Sequence, residues 1–106
     1  MANPDTCDIV ILGGGLSGCL IALALAEKQP QLDVRLIEAG EQLGGNHIWS
    51  FFDSDIAPED RWLVEPLICH RWEGYDVAFP KHSRTLDAVY NSIRSPRLDT
   101  VVRSRI

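Results

Sequence analysis

The sequence is short of the features that mark secreted, zinc-binding and nucleic-acid-binding proteins. Its three cysteines are odd in number and show no CxxC spacing, which predicts a reduced, cytoplasmic protein rather than a disulfide framework. Ten basic residues against 15 acidic ones give a net charge of −5 with no basic cluster, so nucleic acid is not an expected partner. The side chains with metal-binding chemistry lack the spacing of a ligand set, so no metal is predicted; they are His47, Cys69, His70 and His82.

Long apolar segments are also missing. The residues after Met1 lack the positive and apolar regions of a signal peptide, and the longest apolar run, residues 20–26, is too short to cross a bilayer. The 106 residues are 45% hydrophobic, as in a globular domain. They supply only two clear parallel strands, however, and they stop within the helical pattern of residues 96–106. We therefore expect the amino-terminal fragment of a larger enzyme.

The most informative stretch is a glycine-rich turn between a predicted strand at residues 8–12 and a predicted helix at residues 16–28. Glycine at the first position lets the chain turn sharply, at the third lets backbone approach a pyrophosphate, and at the sixth lets helix and strand pack closely. The helix N-terminus then faces the anion. The sequence therefore predicts dinucleotide binding, and the residues expected to contribute are Gly13, Gly14, Gly15 and Gly18.

An acidic residue and a second glycine pair extend this motif. A second predicted strand, residues 34–37, ends at Glu38, whose carboxylate can accept hydrogen bonds from the hydroxyls of an unphosphorylated ribose, as in FAD or NAD. Gly44 and Gly45 follow shortly after, and this second glycine pair resembles the extended dinucleotide motif of FAD-dependent oxidoreductases, which favours FAD over NAD. The competing interpretation is a packing turn that binds no ligand.

The predicted fold class is α/β, with a Rossmann-like FAD/NAD(P)-binding βαβ unit that begins a doubly wound parallel sheet and leads into the start of an α+β substrate domain. Residues 1–45 form the βαβ unit and residues 46–106 begin the substrate-side segment. Strand 8–12 is expected to be buried on both faces, with Ile21, Ala22 and Leu25 of the helix towards the sheet. Residues 75–79 alternate as a half-buried strand does, whereas residues 86–93 fit a helix or a bent strand.

From the glycine pair onward the sequence carries features of one family, and residues 8–102 as a whole resemble the bacterial lycopene beta-cyclases. The resemblance rests on the run Gly44-Gly45-Asn46-His47-Ile48-Trp49-Ser50-Phe51 and on Arg61-Trp62, Pro66-Leu67, His70-x-Trp72, Tyr75-x-Val77-x-Phe79-Pro80, Arg84-x-Leu86, Tyr90 and Ser95. It covers about the first quarter to third of such an enzyme. Ile48 departs from the family pattern, which more often has threonine there.

The resemblance implies a redox-neutral reaction in carotenoid biosynthesis. Lycopene is protonated at an end-group double bond, the carbocation closes a six-membered ring, and a proton is lost to give a beta-ionone ring, which at both ends yields beta-carotene. It also implies reduced FAD, recharged by NAD(P)H, and a general acid beyond residue 106. Because the substrate is a C40 hydrocarbon, we expect a cytoplasmic enzyme peripheral to the inner face of the membrane. A different enzyme class, an FAD-dependent monooxygenase or oxidase acting on an apolar substrate, and a non-enzymatic nucleotide-binding module are the alternatives.

Several individual residues have both a functional and a structural interpretation. His47 and Trp49 either lie near the flavin or the hydrocarbon channel, or hydrogen-bond backbone and fill a core. Asp53 and Asp55 form an acid–base pair or a solvated acidic loop. Four aromatic residues could stabilise a carbocation with their π faces, although packing is the more ordinary role; they are Trp62, Trp72, Tyr75 and Phe79.

Overall fold

The computed structural model describes residues 5–73, 75–79, 82–86 and 89–106, with the backbone alone for 75–79 and 82–86. The seven strands there are β1 (Ile9–Leu12), β2 (Val34–Ile37), β3 (Ile48–Phe52), β4 (Ile68–Trp72), β5 (Tyr75–Phe79), β6 (His82–Leu86) and β7 (Tyr90–Arg94). The helices are α1 (Leu16–Lys28), the short α2 (Arg61–Val64) and α3 (Ser95–Arg105). Short 3-10 turns cover Asp53–Asp55, Pro58–Asp60 and Glu65–Leu67.

The chain divides into two compact units. The first contains residues up to His47 together with Ser95–Ile106, and the second contains Ile48–Arg94. The first has a parallel sheet and the second an antiparallel one, so the chain is of mixed α/β class. The division at residue 45 stays a prediction.

The first unit is built on a β–α–β crossover. β1 and β2 pair in parallel, with Ile9 opposite Val34 and Leu12 opposite Ile37. The predicted helix is confirmed as α1, and it ends before Pro30, where the Gln29 N–H donates to the Leu25 carbonyl at 2.8 Å.

The outer face of this sheet differs from the prediction. Within the described residues β1 is not buried on both faces, because Val10 is 50% and Leu12 79% exposed, and its burial in a longer chain stays a prediction. The predicted inward face of α1 was also partly wrong: Cys19, Ala22 and Leu23 are buried, whereas Ile21 is 52% exposed. Helix α1 contacts β1 and β2. Alternate residues of a strand point to opposite faces, so a helix packed on one face leaves the other to be covered by different elements.

The helix predicted over residues 96–106 is confirmed as α3, which begins and ends one residue earlier. Its apolar residues Leu98 and Val102 are fully buried in the first unit, and the helix packs against α1. Asp99 and Arg103, four residues apart, are paired at 2.9 Å on a neighbouring side of the helix. This arrangement places polar groups of α3 beside the first unit's loops.

The second unit contains a three-stranded antiparallel sheet in the order β3-β7-β4 and a separate β5–β6 hairpin. Strand β7 is central, with Phe52 and Trp72 both opposite Tyr90. Of the two alternatives for residues 86–93, the structure supports the strand from Tyr90 onward. The predicted strand at residues 75–79 is confirmed as β5.

One face of the central strand carries a closed polar network around Asn91, which is fully buried. The Asn91 amide donates to Asp53 at 2.8 Å and accepts from Arg71 at 2.9 Å. Arg61 forms ion pairs with Asp53 at 2.6 Å and with Glu65 at 2.9 Å. An ion pair between Arg71 and Glu65 at 3.1 Å closes the network. The buried amide is thus satisfied on both its donor and acceptor sides, as a buried polar group must be.

Candidate cofactor-binding site

The glycine turn joins the end of β1 to the start of α1. Gly13 has φ +97°, a left-handed conformation that side chains disfavour, and its N–H donates to the Ile37 carbonyl at 2.8 Å. Gly15 is the N-cap of α1, with φ −75° and ψ −175°, and offers no capping side chain to the first helical N–H groups. A Cβ atom placed on Gly15 would meet nothing within 4 Å. The turn therefore leaves open space in front of the positive end of the helix.

Glu38 lies beside this turn. Its carboxylate accepts hydrogen bonds from the Gly14 N–H at 2.5 Å and from the Gly40 N–H at 3.4 Å, and the residue is exposed. Each carboxylate oxygen has two lone pairs, so both oxygens keep acceptor capacity for ribose hydroxyls. The backbone bonds orient the carboxylate next to the place where a nucleotide would pass the turn. The ribose role itself stays a prediction.

The second glycine pair lies against the first turn. Gly44 donates its N–H to the Gly14 carbonyl at 2.6 Å, and Gly44 and Gly45 have φ +79° and +66°. Leu43 is buried at 8% exposure, and a Cβ atom on Gly14 would overlap its side chain. The structure therefore brings the seven residues predicted from sequence into one region, although that a cofactor binds them stays a prediction.

Helix α3 holds the loop that carries the glycine pair, a role that sequence reasoning missed. The Asp99 carboxylate accepts from the Leu43 N–H at 2.8 Å and from Arg103 Nε at 2.9 Å. Arg103 in turn donates to the Glu41 carbonyl at 2.8 Å. The Leu43 N–H, and then Arg103, hold the pKa of Asp99 below its ordinary value. The only sequence signal was the i,i+4 spacing of Asp99 and Arg103, which does not identify the Leu43 backbone as a partner.

This carboxylate makes stability depend on pH. Because the pKa of folded Asp99 lies below its unfolded value, its stabilisation is present above the ordinary aspartate pKa of about 3.9 and is lost as pH falls through the folded value. Asp99→Asn should therefore reduce the fall in unfolding free energy between about pH 5 and pH 2 in urea titrations of a full-length protein that contains this chain. Asp60→Asn, the same change at an exposed residue, is the control. An unaltered pH profile in Asp99→Asn would contradict the assignment.

The geometry around the turn fits a dinucleotide. The first turn of α1 has no acidic residue, so no carboxylate of that turn repels an anion at the helix N-terminus. A separate cavity of about 340 Å³ opens between β2 and α3; Glu38 lines it, whereas none of the predicted cofactor-binding glycines does. Backbone N–H groups of the turn would hold the pyrophosphate, and Glu38 the ribose.

The structure describes the surroundings of His47 and Trp49, whose roles near a flavin stay predictions. The backbone of His47 pairs with Ser95, whose N–H donates to it at 3.0 Å and whose Oγ accepts from it at 3.2 Å. Trp49 is half-buried in β3. The side chains of Tyr75 and Phe79 lie outside the described residues.

Asp53 and Asp55 do not pair with each other. Asp55 accepts from the Phe52 N–H at 2.9 Å, whereas Asp53 bonds to Arg61 and Asn91. Hydrogen bonds from Arg61 and then Asn91 keep the pKa of Asp53 below its usual value. A general acid at neutral pH requires the opposite shift, so the geometry favours a structural role for Asp53. Over the described parts of the chain, no cluster of three or more metal-binding side chains occurs.

A β–α–β crossover with a glycine turn and a terminal acidic residue is the arrangement typical of dinucleotide-binding domains. Residues 8–106 match the family described as Lycopene cyclase protein, and the chain belongs to that family. It is 49% identical to the lycopene beta-cyclase of Pseudescherichia vulneris, over 85% of this chain and 23% of that one. It is 40% identical to the lycopene beta-cyclase of Pantoea ananas, over 91% of this chain and 25% of that one.

A shorter likeness reaches an oxidase. The chain is 53% identical to protoporphyrinogen oxidase 1, chloroplastic, of Arabidopsis thaliana, over 56% of this chain and 13% of that one. The chain thus spans about a quarter of the length of the cyclases that it matches. Among the helices in the described ranges, none combines the length and apolar character needed to cross a membrane.

Proposed function

We propose that this chain supplies the nucleotide-binding part of a lycopene beta-cyclase, an enzyme that converts lycopene end groups to beta-ionone rings and so forms beta-carotene. The family match over residues 8–106 carries the proposal. The open glycine turn with Glu38 beside it supports a nucleotide cofactor in this chain.

The proposed cofactor is FAD, reduced by NAD(P)H. In this assignment Gly13, Gly15 and the first N–H groups of α1 contact the pyrophosphate, and Glu38 accepts the ribose hydroxyls. The Gly44–Gly45 loop approaches the flavin side. Bound reduced flavin would supply negative charge that stabilises a developing carbocation in a dry pocket.

The chemistry that we propose is redox-neutral. A general acid outside these 106 residues adds a proton to an end-group double bond, a carbon–carbon bond closes the six-membered ring, and a proton leaves to form the new double bond. Atoms and charge balance with no electron passing to the product. The role that we propose for this chain is to bind and orient the cofactor; the open glycine turn with Glu38 beside it supports this role, and the ion pairing of Asp53 counts against acid catalysis by that residue.

The remaining proposals concern the whole protein. We place it in the cytoplasm at the inner face of the membrane, because a C40 hydrocarbon dissolves there. We also propose that the β–α–β crossover belongs to a doubly wound, Rossmann-like sheet whose further elements cover the apolar outer face at Val10, Leu12 and Ile37.

A hybrid enzyme tests the function. Residues 8–106 would replace the matching segment of the Pseudescherichia vulneris lycopene beta-cyclase, to give what we call the hybrid cyclase. We expect it, in lycopene-accumulating bacteria, to convert most lycopene to cyclised carotenoids of unchanged mass, measured by chromatography with mass detection. The control is the same hybrid with Glu38→Ala, which should retain less flavin and form less product. A soluble, flavin-containing hybrid that leaves lycopene unchanged would contradict the proposal.

The alternative is an FAD-dependent monooxygenase or oxidase that acts on an apolar substrate. The likeness to protoporphyrinogen oxidase 1 favours this reading over a non-enzymatic module. Product mass separates the two enzymes, because cyclisation leaves the mass of the substrate unchanged and net oxidation does not.

A further inference from the structure

Three polar residues of α3 hold the backbone of the loop that carries the second glycine pair. They recur at every fourth position, so they lie along one side of the helix. We call them the polar stripe; they are Ser95, Asp99 and Arg103. Their bonding partners are backbone groups of residues 41–47, and the stripe and this loop belong to the same compact unit.

The second half of the stripe holds the residues before the glycine pair. Asp99 Oδ1 accepts from the Leu43 N–H at 2.8 Å and from Arg103 Nε at 2.9 Å. Arg103 also donates to the Glu41 carbonyl at 2.8 Å. The side chain of Asp99 is 20% exposed and that of Arg103 57%. A hydrogen bond to a carboxylate is stronger where water is partly excluded, so Asp99 is the main anchor on this side of the glycine pair.

Ser95 holds the residues after the glycine pair. It is buried, its N–H donates to the His47 carbonyl at 3.0 Å, and its Oγ accepts from the His47 N–H at 3.2 Å. Between the two anchors, Gly44 donates to the Gly14 carbonyl at 2.6 Å, which fixes the loop against the first glycine turn. The glycine pair is therefore anchored on both sides by α3 and in its middle by the turn.

We infer that the polar stripe positions the Gly44–Gly45 loop for the flavin end of the cofactor, with Asp99 as the main positioning residue, an inference that rests on the proposed function. Glycine loses more backbone freedom on ordering than any other residue, and a loop that orders only when a ligand binds subtracts that cost from the affinity. Anchors that order the loop beforehand remove this cost. Because the pyrophosphate and ribose are assigned to the glycine turn and Glu38, the stripe should act on the flavin end alone.

The test compares two ligands on the flavin-free hybrid cyclase by isothermal titration calorimetry. FAD has both a nucleotide and a flavin end, whereas ADP has the nucleotide end alone. We expect Asp99→Ala to raise the dissociation constant of FAD about tenfold and that of ADP by less than about threefold. Asp99→Asn keeps an acceptor oxygen for the Leu43 N–H, so it should raise the dissociation constant of FAD by less than about threefold.

Two further variants support this comparison. Ser95→Ala removes the Oγ acceptor of the His47 N–H and should raise the dissociation constant of FAD about threefold without changing that of ADP, so it decides the question where Asp99→Ala does not fold. Glu27→Ala is the matched control, because it removes a carboxylate that pairs with Arg105 of α3 at 3.9 Å outside the stripe, and both dissociation constants should stay within about twofold of the unsubstituted hybrid. The melting temperature without flavin reports folding of each variant.

The outcomes separate this inference from the proposed function. Selective loss of FAD affinity supports the inference even where no cyclised product forms, which would count against the function. Equal weakening of FAD and ADP in a folded stripe variant would show that the stripe supports the fold in general, and unchanged FAD affinity would show that the loop needs no anchor. Either result overturns the inference and leaves the cofactor assignment intact. An unsubstituted hybrid that does not bind FAD would refute the proposed cofactor and the inference with it.

Discussion

Replacing Gly15 with valine is expected to abolish flavin retention by the hybrid cyclase. Gly15 caps α1 with open space around its Cβ position, so a valine side chain would stand where the structure leaves room for the pyrophosphate. Each backbone–phosphate hydrogen bond is charge-assisted and contributes about 1.5–3 kcal/mol, so losing two of them should lower affinity at least about a hundredfold. The measurement is the flavin-to-protein absorbance ratio of the purified enzyme.

The same position supplies its own folding control. The φ of Gly15 is −75°, which any residue can adopt, and no atom lies within 4 Å of a Cβ there. The melting temperature of the flavin-free variant should therefore stay within a few degrees of that of the flavin-free parent, about the effect of a weaker N-cap. Normal flavin content in Gly15→Val would refute the cofactor assignment. A much lower melting temperature of the flavin-free variant would instead show that valine disturbs the packing of the protein itself.

Gly18→Ala should damage the fold itself. A Cβ atom on Gly18 would overlap the carbonyl oxygen of Gly13 and lie 3.2 Å from Ile11 Cγ2. Backbone cannot rotate away as a side chain can, so helix and turn must separate, and overpacking of this kind costs about 1–3 kcal/mol. We expect the free energy of unfolding of the flavin-free hybrid to fall by about that amount, measured by urea titration.

Gly15→Ala is the matched control for this second substitution. It adds the same methyl group three residues earlier, in open space, and should leave the unfolding free energy within about 0.5 kcal/mol of the parent. If the two alanine variants are equally stable, the close approach of α1 to the turn does not depend on Gly18. The two variants thus distinguish Gly15, which leaves space for a ligand, from Gly18, which allows close contact with the Gly13 backbone.

Local rules accounted well for the first unit. An apolar strand, a turn that needs glycine, a helix and a second strand are specified by residues close in sequence, and the bounds of α1 were predicted to the residue. The expected burial of β1 on both faces assumed a sheet covered on both faces, which the residues near β1 in sequence do not supply. Within the described residues only one face has a helix packed on it, and Val10 and Leu12 stay exposed.

Other features depend on partners that no local pattern names. Asp99 meets the Leu43 N–H across 56 residues, and Asn91 meets Asp53 across 38. The hypothesis that Asp53 and Asp55 form an acid–base pair rested on their closeness in sequence. In the structure a buried amide and an arginine satisfy Asp53, because buried polar groups select the partners that geometry brings within hydrogen-bond distance.

The sequence by itself determined the family, the crossover and the seven candidate cofactor residues, because glycine spacing and strand-end chemistry are local consequences of covalent structure and sterics. Only the tertiary structure decided that α3 holds the Gly44–Gly45 loop through Asp99. It also decided that Phe52, Tyr90 and Trp72 form one row, since strand register, which local sequence does not encode, places these rings opposite one another.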